Sequence, residues 1–99
     1  MIKGKQRSYL KSLAQELDPV VYMGKAGMTE NVIKEMDQLL DSRELIKVKL
    51  QEGCLLEPKE AAGEAAQMLG AEFVQAIGRK FVLYRQAKDP EKRTIVLPR

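Results

Sequence analysis

Apolar residues recur with helical spacing in three stretches of the chain. In residues 4–17 they form one stripe of a helix, and Asp18-Pro19 ends it because a residue before proline avoids the α region. Thr29 is a good N-cap for a second amphipathic helix. Residues 57–69 predict a third helix, with Gly70 as its C-cap. The first two apolar stripes are Tyr9, Leu10, Leu13, Ala14 and Leu17, and then Val32, Ile33, Met36, Leu39 and Leu40.

Two shorter stretches between these helices predict strands. Residues 20–23 are largely apolar on both faces, which is typical of a strand inside a sheet. Residues 45–50 alternate between aliphatic side chains and Lys47 and Lys49. This alternation predicts one buried face and one wet, basic face.

The last part of the chain predicts a hairpin. Residues 72–77 and 81–85 are rich in β-forming residues and are joined by Gly78-Arg79-Lys80. Residues 86–93 are polar and are expected to be mobile, whereas the apolar residues 94–97 either dock on the domain or stay loose.

The resulting order, α–β–α–β–α–β–β, predicts an α/β fold of the two-layer α+β kind. Alternating strands and helices favour parallel strands joined by right-handed crossovers. The terminal hairpin must add one antiparallel strand. We therefore expect a four-stranded mixed sheet in a single domain spanning residues 1–99.

Charge is unevenly placed along the chain, although the net charge is only +3. Residues 1–11 hold four basic residues and no acid, and residues 76–99 hold seven basic residues against two acids. The middle, residues 12–75, has six basic and twelve acidic residues. The two basic ends are expected to meet in the fold as one patch that attracts a polyanion.

Composition excludes several functional classes. Histidine is absent and Cys54 is the only cysteine, so an internal disulfide is impossible and a zinc site is disfavoured. We expect no metal, no cofactor, no small-molecule substrate and no enzymatic activity. The first residues lack the apolar core of a signal peptide, and no apolar run is long enough to span a bilayer. A cytoplasmic protein without a membrane partner is expected.

The strongest chemical signal is the tetrapeptide Gly24-Lys25-Ala26-Gly27, between the first strand and the second helix. Paired glycines allow positive φ or a close approach of the backbone to a ligand. The following helix offers free N–H groups and a positive dipole end, and Lys25 adds a full charge. The loop is interpreted as a backbone clamp for a polyanion. The alternative is a plain tight turn between strand and helix.

Other cations could extend this site. Lys5, Arg7 and Lys11 are interpreted as sharing roughly one side of the first helix, away from its apolar stripe. Arg79 and Lys80 lie in the predicted hairpin turn. For all of these residues the alternative is a solvated surface charge.

Five motifs, taken in order, resemble the CRM domain (chloroplast RNA splicing and ribosome maturation). The match spans residues 2–86, leaves residues 87–99 as a tail, and is most similar to the free-standing bacterial YhbY-like form. The motifs are Lys5-Gln6-Arg7, Pro19-Val20-Val21, Gly24-Lys25-Ala26-Gly27-Met28-Thr29, Glu44-Leu45-Ile46-Lys47-Val48-Lys49 and Ala76-Ile77-Gly78-Arg79-Lys80.

The resemblance implies a fold similar to the C-terminal domain of bacterial translation initiation factor three, with strand order 1-2-4-3. It also implies RNA binding, and association of the bacterial members with precursors of the large ribosomal subunit. The family's glycine loop maps onto Gly24, Lys25, Ala26 and Gly27, and its later basic residue maps onto Arg79.

Three functions are compared. The first is a monomeric, non-catalytic RNA-binding module in large-subunit assembly, which clamps ribosomal RNA through the glycine loop, Lys5, Arg7, Lys11, Arg79 and Lys80. The second is a protein-interaction adaptor in which the acidic middle docks a partner and the glycine loop is only a turn. The third is a small anion-binding enzyme using Lys25, disfavoured because no base accompanies it.

Overall fold

The structure is a computed structural model that describes residues 2–99. Three α-helices and four strands alternate in the predicted order, and a short 3₁₀ helix follows the last strand. The elements are α1 (Gly4–Ala14), β1 (Val21–Met23), α2 (Glu30–Arg43), β2 (Leu45–Leu50), α3 (Pro58–Leu69), β3 (Glu72–Ile77), β4 (Lys80–Tyr84) and the 3₁₀ helix (Pro90–Lys92). No helix within the described range is long and apolar enough to cross a bilayer.

The four strands form one mixed sheet in the order β1-β2-β4-β3. β1 and β2 are parallel, and β4 lies antiparallel between β2 and β3. The strand order implied by the resemblance and the single antiparallel strand are thus confirmed. A short hairpin turn forces β3 and β4 to pair, whereas β1 and β2 are joined through α2, which allows a parallel pairing.

Helices cover both faces of the sheet. α2 and α3 pack on the face that carries Val21, Val48 and Phe81, where the larger core lies. α1 packs on the opposite face, where Leu10 and Ala14 meet a second cluster of apolar residues from β2, β3 and β4. The predicted α/β fold with a four-stranded mixed sheet is confirmed, and α1 covers part of the sheet face opposite α2 and α3.

α1 is shorter than predicted, and one residue of its apolar stripe is not in the core. The helix ends at Ala14 instead of residue 17, and Leu17 is partly buried in the segment that follows. Tyr9 is 38% exposed, whereas Leu10 is fully buried. Helical spacing places Tyr9 roughly 100° from Leu10, at the edge of the stripe, so the sheet does not reach it.

β1 lies at the edge of the sheet, not in its interior. Val21 and Met23 are fully buried, but Tyr22 is 51% exposed. An apolar side chain on the open face of an edge strand is indistinguishable in sequence from one in a central strand. The interior position predicted for residues 20–23 was wrong.

The C-terminal tail is docked through a buried carboxylate. Glu44 has no exposed surface, and its side chain accepts hydrogen bonds from the backbone N–H groups of Ala87, Thr94 and Ile95 at 2.8, 2.8 and 3.1 Å. Arg93 adds a bond from Nε to the Ala87 carbonyl. Residues 86–93, which were expected to be mobile, are thus anchored at Ala87 by a charge far away in sequence, and residues 94–97 dock on the domain.

Candidate nucleic-acid interface

The glycine loop is a tight turn between β1 and α2. The Gly27 N–H donates to the Gly24 carbonyl at 2.9 Å, and Gly27 has a φ of 72°. Lys25 and Ala26 are exposed at the tip, Gly24 is half-buried and Gly27 is buried. In the described chain, the amides of Lys25 and Ala26 have no hydrogen-bond partner. A ligand would therefore meet these two amides, since the Gly27 amide is used within the turn.

The two glycines have different structural roles. At Gly27 the positive φ disfavours any other residue, and a Cβ would lie 3.3 Å from Leu56 Cδ1. Gly24 has no positive φ, and its Cβ would meet only the flexible end of Gln51 at 3.3 Å. The turn accounts for Gly27 but does not require a glycine at position 24.

Replacing the glycines one at a time separates these roles. We expect Gly27→Ala to lower the free energy of unfolding by about 1–2 kcal/mol, because a left-handed backbone is strained for a residue with a Cβ. Gly24→Ala is the matched control, with an expected change within about 0.5 kcal/mol. Urea denaturation of the two variants measures the difference. Equal stabilities would show that the turn conformation is not as described.

The N-terminus of α2 is capped, as predicted. The Thr29 hydroxyl accepts a hydrogen bond from the Val32 N–H at 3.1 Å. Glu30, in the first turn, places a negative charge at the same end. Both features reduce the attraction of this helix end for a phosphate, because the cap uses one of its N–H groups and Glu30 opposes the dipole.

Lys49 and Lys80 are neighbours on adjacent strands beside the loop. They are register partners of the β2–β4 pair, and Lys49 is exposed while Lys80 is half-buried. Lys47, predicted to share a wet face with Lys49, is instead half-buried and donates from Nζ to the Leu17 carbonyl at 2.8 Å. The segment after α1 covers Lys47 but does not extend to Lys49.

Arg79 joins the hairpin turn to the loop that follows β2. Its Nη2 donates to the Cys54 carbonyl at 2.6 Å, and its own carbonyl accepts from the Leu50 N–H at 2.7 Å. The residue remains exposed, so the other guanidinium donors face solvent. Arg79 thus has a structural contact and free donors beside Lys80.

The cations of α1 divide into two groups. Arg7 and Lys11 line a groove of about 690 Å³ that runs along β3 to Gly78, and Lys59 lies in its wall. Arg7 is also held by a bond from Nε to the Phe73 carbonyl at 3.1 Å. Lys5 does not line this groove. Two residues correspond to roughly 200° of helix, so Lys5 and Arg7 point in different directions, and the shared side predicted for the three cations was wrong.

The two basic ends of the chain meet, but not as one patch. The Gln6 side chain donates to the Pro98 carbonyl, which joins α1 to the tail. The C-terminal cations, however, lie at opposite ends of β4, with Lys80 at its start and the tail beyond Tyr84. Arg85 forms ion pairs with Asp37 and Asp41 at 2.8 and 3.1 Å and belongs to the scaffold.

One end of the sheet therefore collects most of the candidate cations. The glycine loop, Lys49 and the hairpin residues lie where β1 and β2 end and β4 begins, and the groove with Arg7 and Lys11 leads to the same hairpin. Within residues 2–99, the only ion pairs are those of Arg85, so none of these cations is directly paired with a carboxylate, although Glu57 also lines the groove of Arg7 and Lys11. The strand alternation had already marked Lys49 as outward-facing, and the structure places it next to Lys80.

Comparison with known proteins gives several relatives that match nearly the whole chain. The chain is 37% identical over 98 residues to the probable RNA-binding protein YqeI of Bacillus subtilis, covering 99% of this chain and 100% of YqeI. It is 43% identical over 96 residues to an RNA-binding protein of Haemophilus influenzae, covering 96% of this chain and 93% of that one.

A solved structure and a family model extend these matches. The solution structure of the hypothetical protein SAV1595 from Staphylococcus aureus, for which RNA binding is proposed, superposes with a TM-score of 0.80 and 41% identity, covering 99% of this chain and 100% of SAV1595. The model of the CRS1/YhbY (CRM) domain matches residues 2–85. The chain therefore belongs to the CRS1/YhbY (CRM) domain family.

Proposed function

We propose that this protein is a non-catalytic RNA-binding factor that associates with precursors of the large ribosomal subunit in the cytoplasm. The observation that carries the proposal is the grouping of Lys25, Lys49 and Lys80 at one end of the sheet, beside two free backbone amides. Two relatives named for RNA binding support the same class of ligand. The glycine loop is proposed to grip the nucleotide backbone.

Such contacts position an RNA and carry little sequence information, because phosphates are the same along every strand. The proposed contact set is the glycine loop (Gly24, Lys25, Ala26, Gly27), together with Lys5, Arg7, Lys11, Arg79 and Lys80. We add Lys49 to this set, because it is the register partner of Lys80. In this set Gly27 acts by shaping the turn. Lys5 is a peripheral contact, since it lies away from the groove that holds Arg7 and Lys11.

The adaptor alternative is favoured by one observation, which is that the turn itself explains Gly27. Sedimentation through a sucrose gradient separates the two functions. Comigration with precursors of the large subunit that is lost at high salt or after RNase treatment supports the RNA-binding function. Salt-resistant binding to a purified protein would support the adaptor.

Lys25→Gln tests the clamp directly. Each lost phosphate contact flattens the dependence of log affinity on log salt by about 0.7 for a single strand, so affinity near 0.1 M salt should fall roughly fivefold. Fluorescence anisotropy with a labelled RNA at several salt concentrations measures both quantities. The matched control is Lys88→Gln, which removes the same charge from the tail.

An unchanged slope for Lys25→Gln would contradict direct phosphate contact by this side chain. A loss of the same size in Lys88→Gln would show that only the net charge matters.

A further inference from the structure

Four side chains form one row across the open end of the sheet. Strand register pairs Tyr22 with Lys49, Lys49 with Lys80, and Lys80 with Ile77. Adjacent strands lie about 4.8 Å apart, so the row spans about 14 Å from β1 to β3. We call this set, Tyr22–Lys49–Lys80–Ile77, the sheet row.

The sheet row faces away from the main core. Its neighbours along each strand, Met23, Leu50, Phe81 and Ala76, pack with α2 and α3 on the other face. Because side chains alternate along a strand, the row points to the face that α1 occupies. Tyr22 and Ile77, at its two ends, are 51% and 67% exposed.

α1 leaves this part of the face uncovered. Its buried residues pack with Leu45, Val74, Val82 and Tyr84, which lie nearer the opposite end of the sheet. The row is thus an open surface of one aromatic ring, two ammonium groups and one aliphatic side chain. It contains no acid.

The sheet row is continuous with the candidate RNA interface. Tyr22 precedes Gly24 by two residues, which corresponds to about 7 Å in an extended chain. At its centre, Lys80 follows Arg79 in the hairpin. An RNA backbone held at the glycine loop would therefore place its next nucleotides over the row.

We infer that Tyr22 is a stacking platform for an unpaired RNA base, with Lys49 and Lys80 binding the flanking phosphates. The inference rests on the proposed function and adds that the bound RNA is single-stranded where it crosses the sheet. An aromatic face stacks on any base, and cations beside it hold the backbone that carries the base. The positive charge of the row favours RNA over a protein as the occupant.

Tyr22→Ala tests the platform. Loss of one stacked base by alanine substitution corresponds to roughly 5- to 150-fold in affinity, and we expect at least fivefold for a single-stranded oligonucleotide. Affinity for a fully base-paired RNA should not change, because its bases cannot stack on the ring. The salt slope should stay the same, since tyrosine carries no charge. Tyr22→Phe should bind like the original protein.

Tyr9→Ala is the matched control. Tyr9 is also exposed, but it lies on α1 outside the sheet row. Tyr9→Ala should leave the affinity for single-stranded RNA unchanged. Thermal denaturation of all variants checks that they are folded.

A tryptophan reporter provides a second, independent measurement. The chain contains no tryptophan, so Tyr22→Trp introduces a single tryptophan, which can be excited selectively and retains a stacking surface. Its emission should be quenched by a single-stranded oligonucleotide and not by a strand of the same length that lacks bases. Tyr9→Trp should show no quenching.

The outcomes distinguish this inference from the proposed function. If Tyr22→Ala binds single-stranded RNA normally while Lys25→Gln weakens binding, the stacking platform is wrong and the clamp stands. Equal losses for single-stranded and paired RNA would also overturn stacking. If the unmodified protein binds neither RNA, the proposed function fails, and the platform fails with it.

Discussion

Replacing Glu44 with alanine is expected to lower the free energy of unfolding by about 3 kcal/mol, because three backbone N–H groups of the tail would lose their acceptor. Glu44 lies at the junction of α2 and β2, and its own carbonyl accepts a hydrogen bond from the Arg85 N–H. The carboxylate therefore holds the tail against the sheet. Urea unfolding measures the loss, and proteolysis within residues 86–97 should become faster.

Glu35→Ala is the matched control, since Glu35 lies on the same helix and is exposed. Its stability should change by no more than about 0.5 kcal/mol. If Glu44→Ala lowered the free energy of unfolding by no more than Glu35→Ala does, the carboxylate would not be the group that holds the tail.

The stabilisation by Glu44 depends on pH. Burial raises the pKa of Glu44, but hydrogen bonds from Ala87, Thr94 and Ile95 and the charge of Arg93 outweigh it, so the pKa lies below the ordinary value of 4.5. A lowered pKa means that the folded state favours the ionised carboxylate. Its contribution is thus fully present above about pH 4.5 and is lost as the pH falls through the folded-state pKa.

Glu44→Gln makes this pH dependence measurable. The stability difference between the original protein and Glu44→Gln should be largest near pH 7 and should shrink below pH 4.5. A difference that stays constant with pH would contradict the ionised state assigned to Glu44.

The largest functional effect is expected from removing three cations at once. Lys25→Gln, Lys49→Gln and Lys80→Gln together should flatten the salt slope by about 2 and weaken single-stranded RNA binding roughly 100-fold near 0.1 M salt. The physical reason is that, in the proposed interface, each lysine would contribute one phosphate contact at the same end of the sheet. Anisotropy titrations between about 50 and 200 mM salt measure the slope.

A triple variant with the same net charge is the control. Lys34→Gln, Lys88→Gln and Lys92→Gln remove three lysines from α2 and the tail. Binding through the sheet end predicts a small loss for this control. Similar losses in both triple variants would show that the protein attracts RNA by net charge alone, without the proposed interface.

Local patterns predicted the order and type of the main elements, because the formation of each element depends on short-range chemistry. The cap at Thr29, the proline at the start of α3 and the hairpin turn each act within a few residues. The position of β4 between β2 and β3 followed from the resemblance, since crossover rules require an antiparallel strand but do not order it.

The roles of several charged residues could not be predicted in this way. Glu44 and Arg85 have the sequence appearance of solvated charges at the ends of a helix and a strand. Glu44 is instead buried, because the tail brings its partners from about 40 to 50 positions away. Arg85 is instead ion-paired, because α2 supplies a partner at a similar separation. Lys5 and Arg7 are close in sequence yet point apart around α1.

The chain's own periodicity determined which residues form helices and strands. The order of residues also puts a lysine between two glycines directly after the first strand. Only the tertiary structure decided which face of the sheet α1 covers and which side chains lie in the open row beside that loop. Tyr22, Lys49 and Lys80 come from three separate strands, so their proximity is set by strand register and not by spacing along the chain.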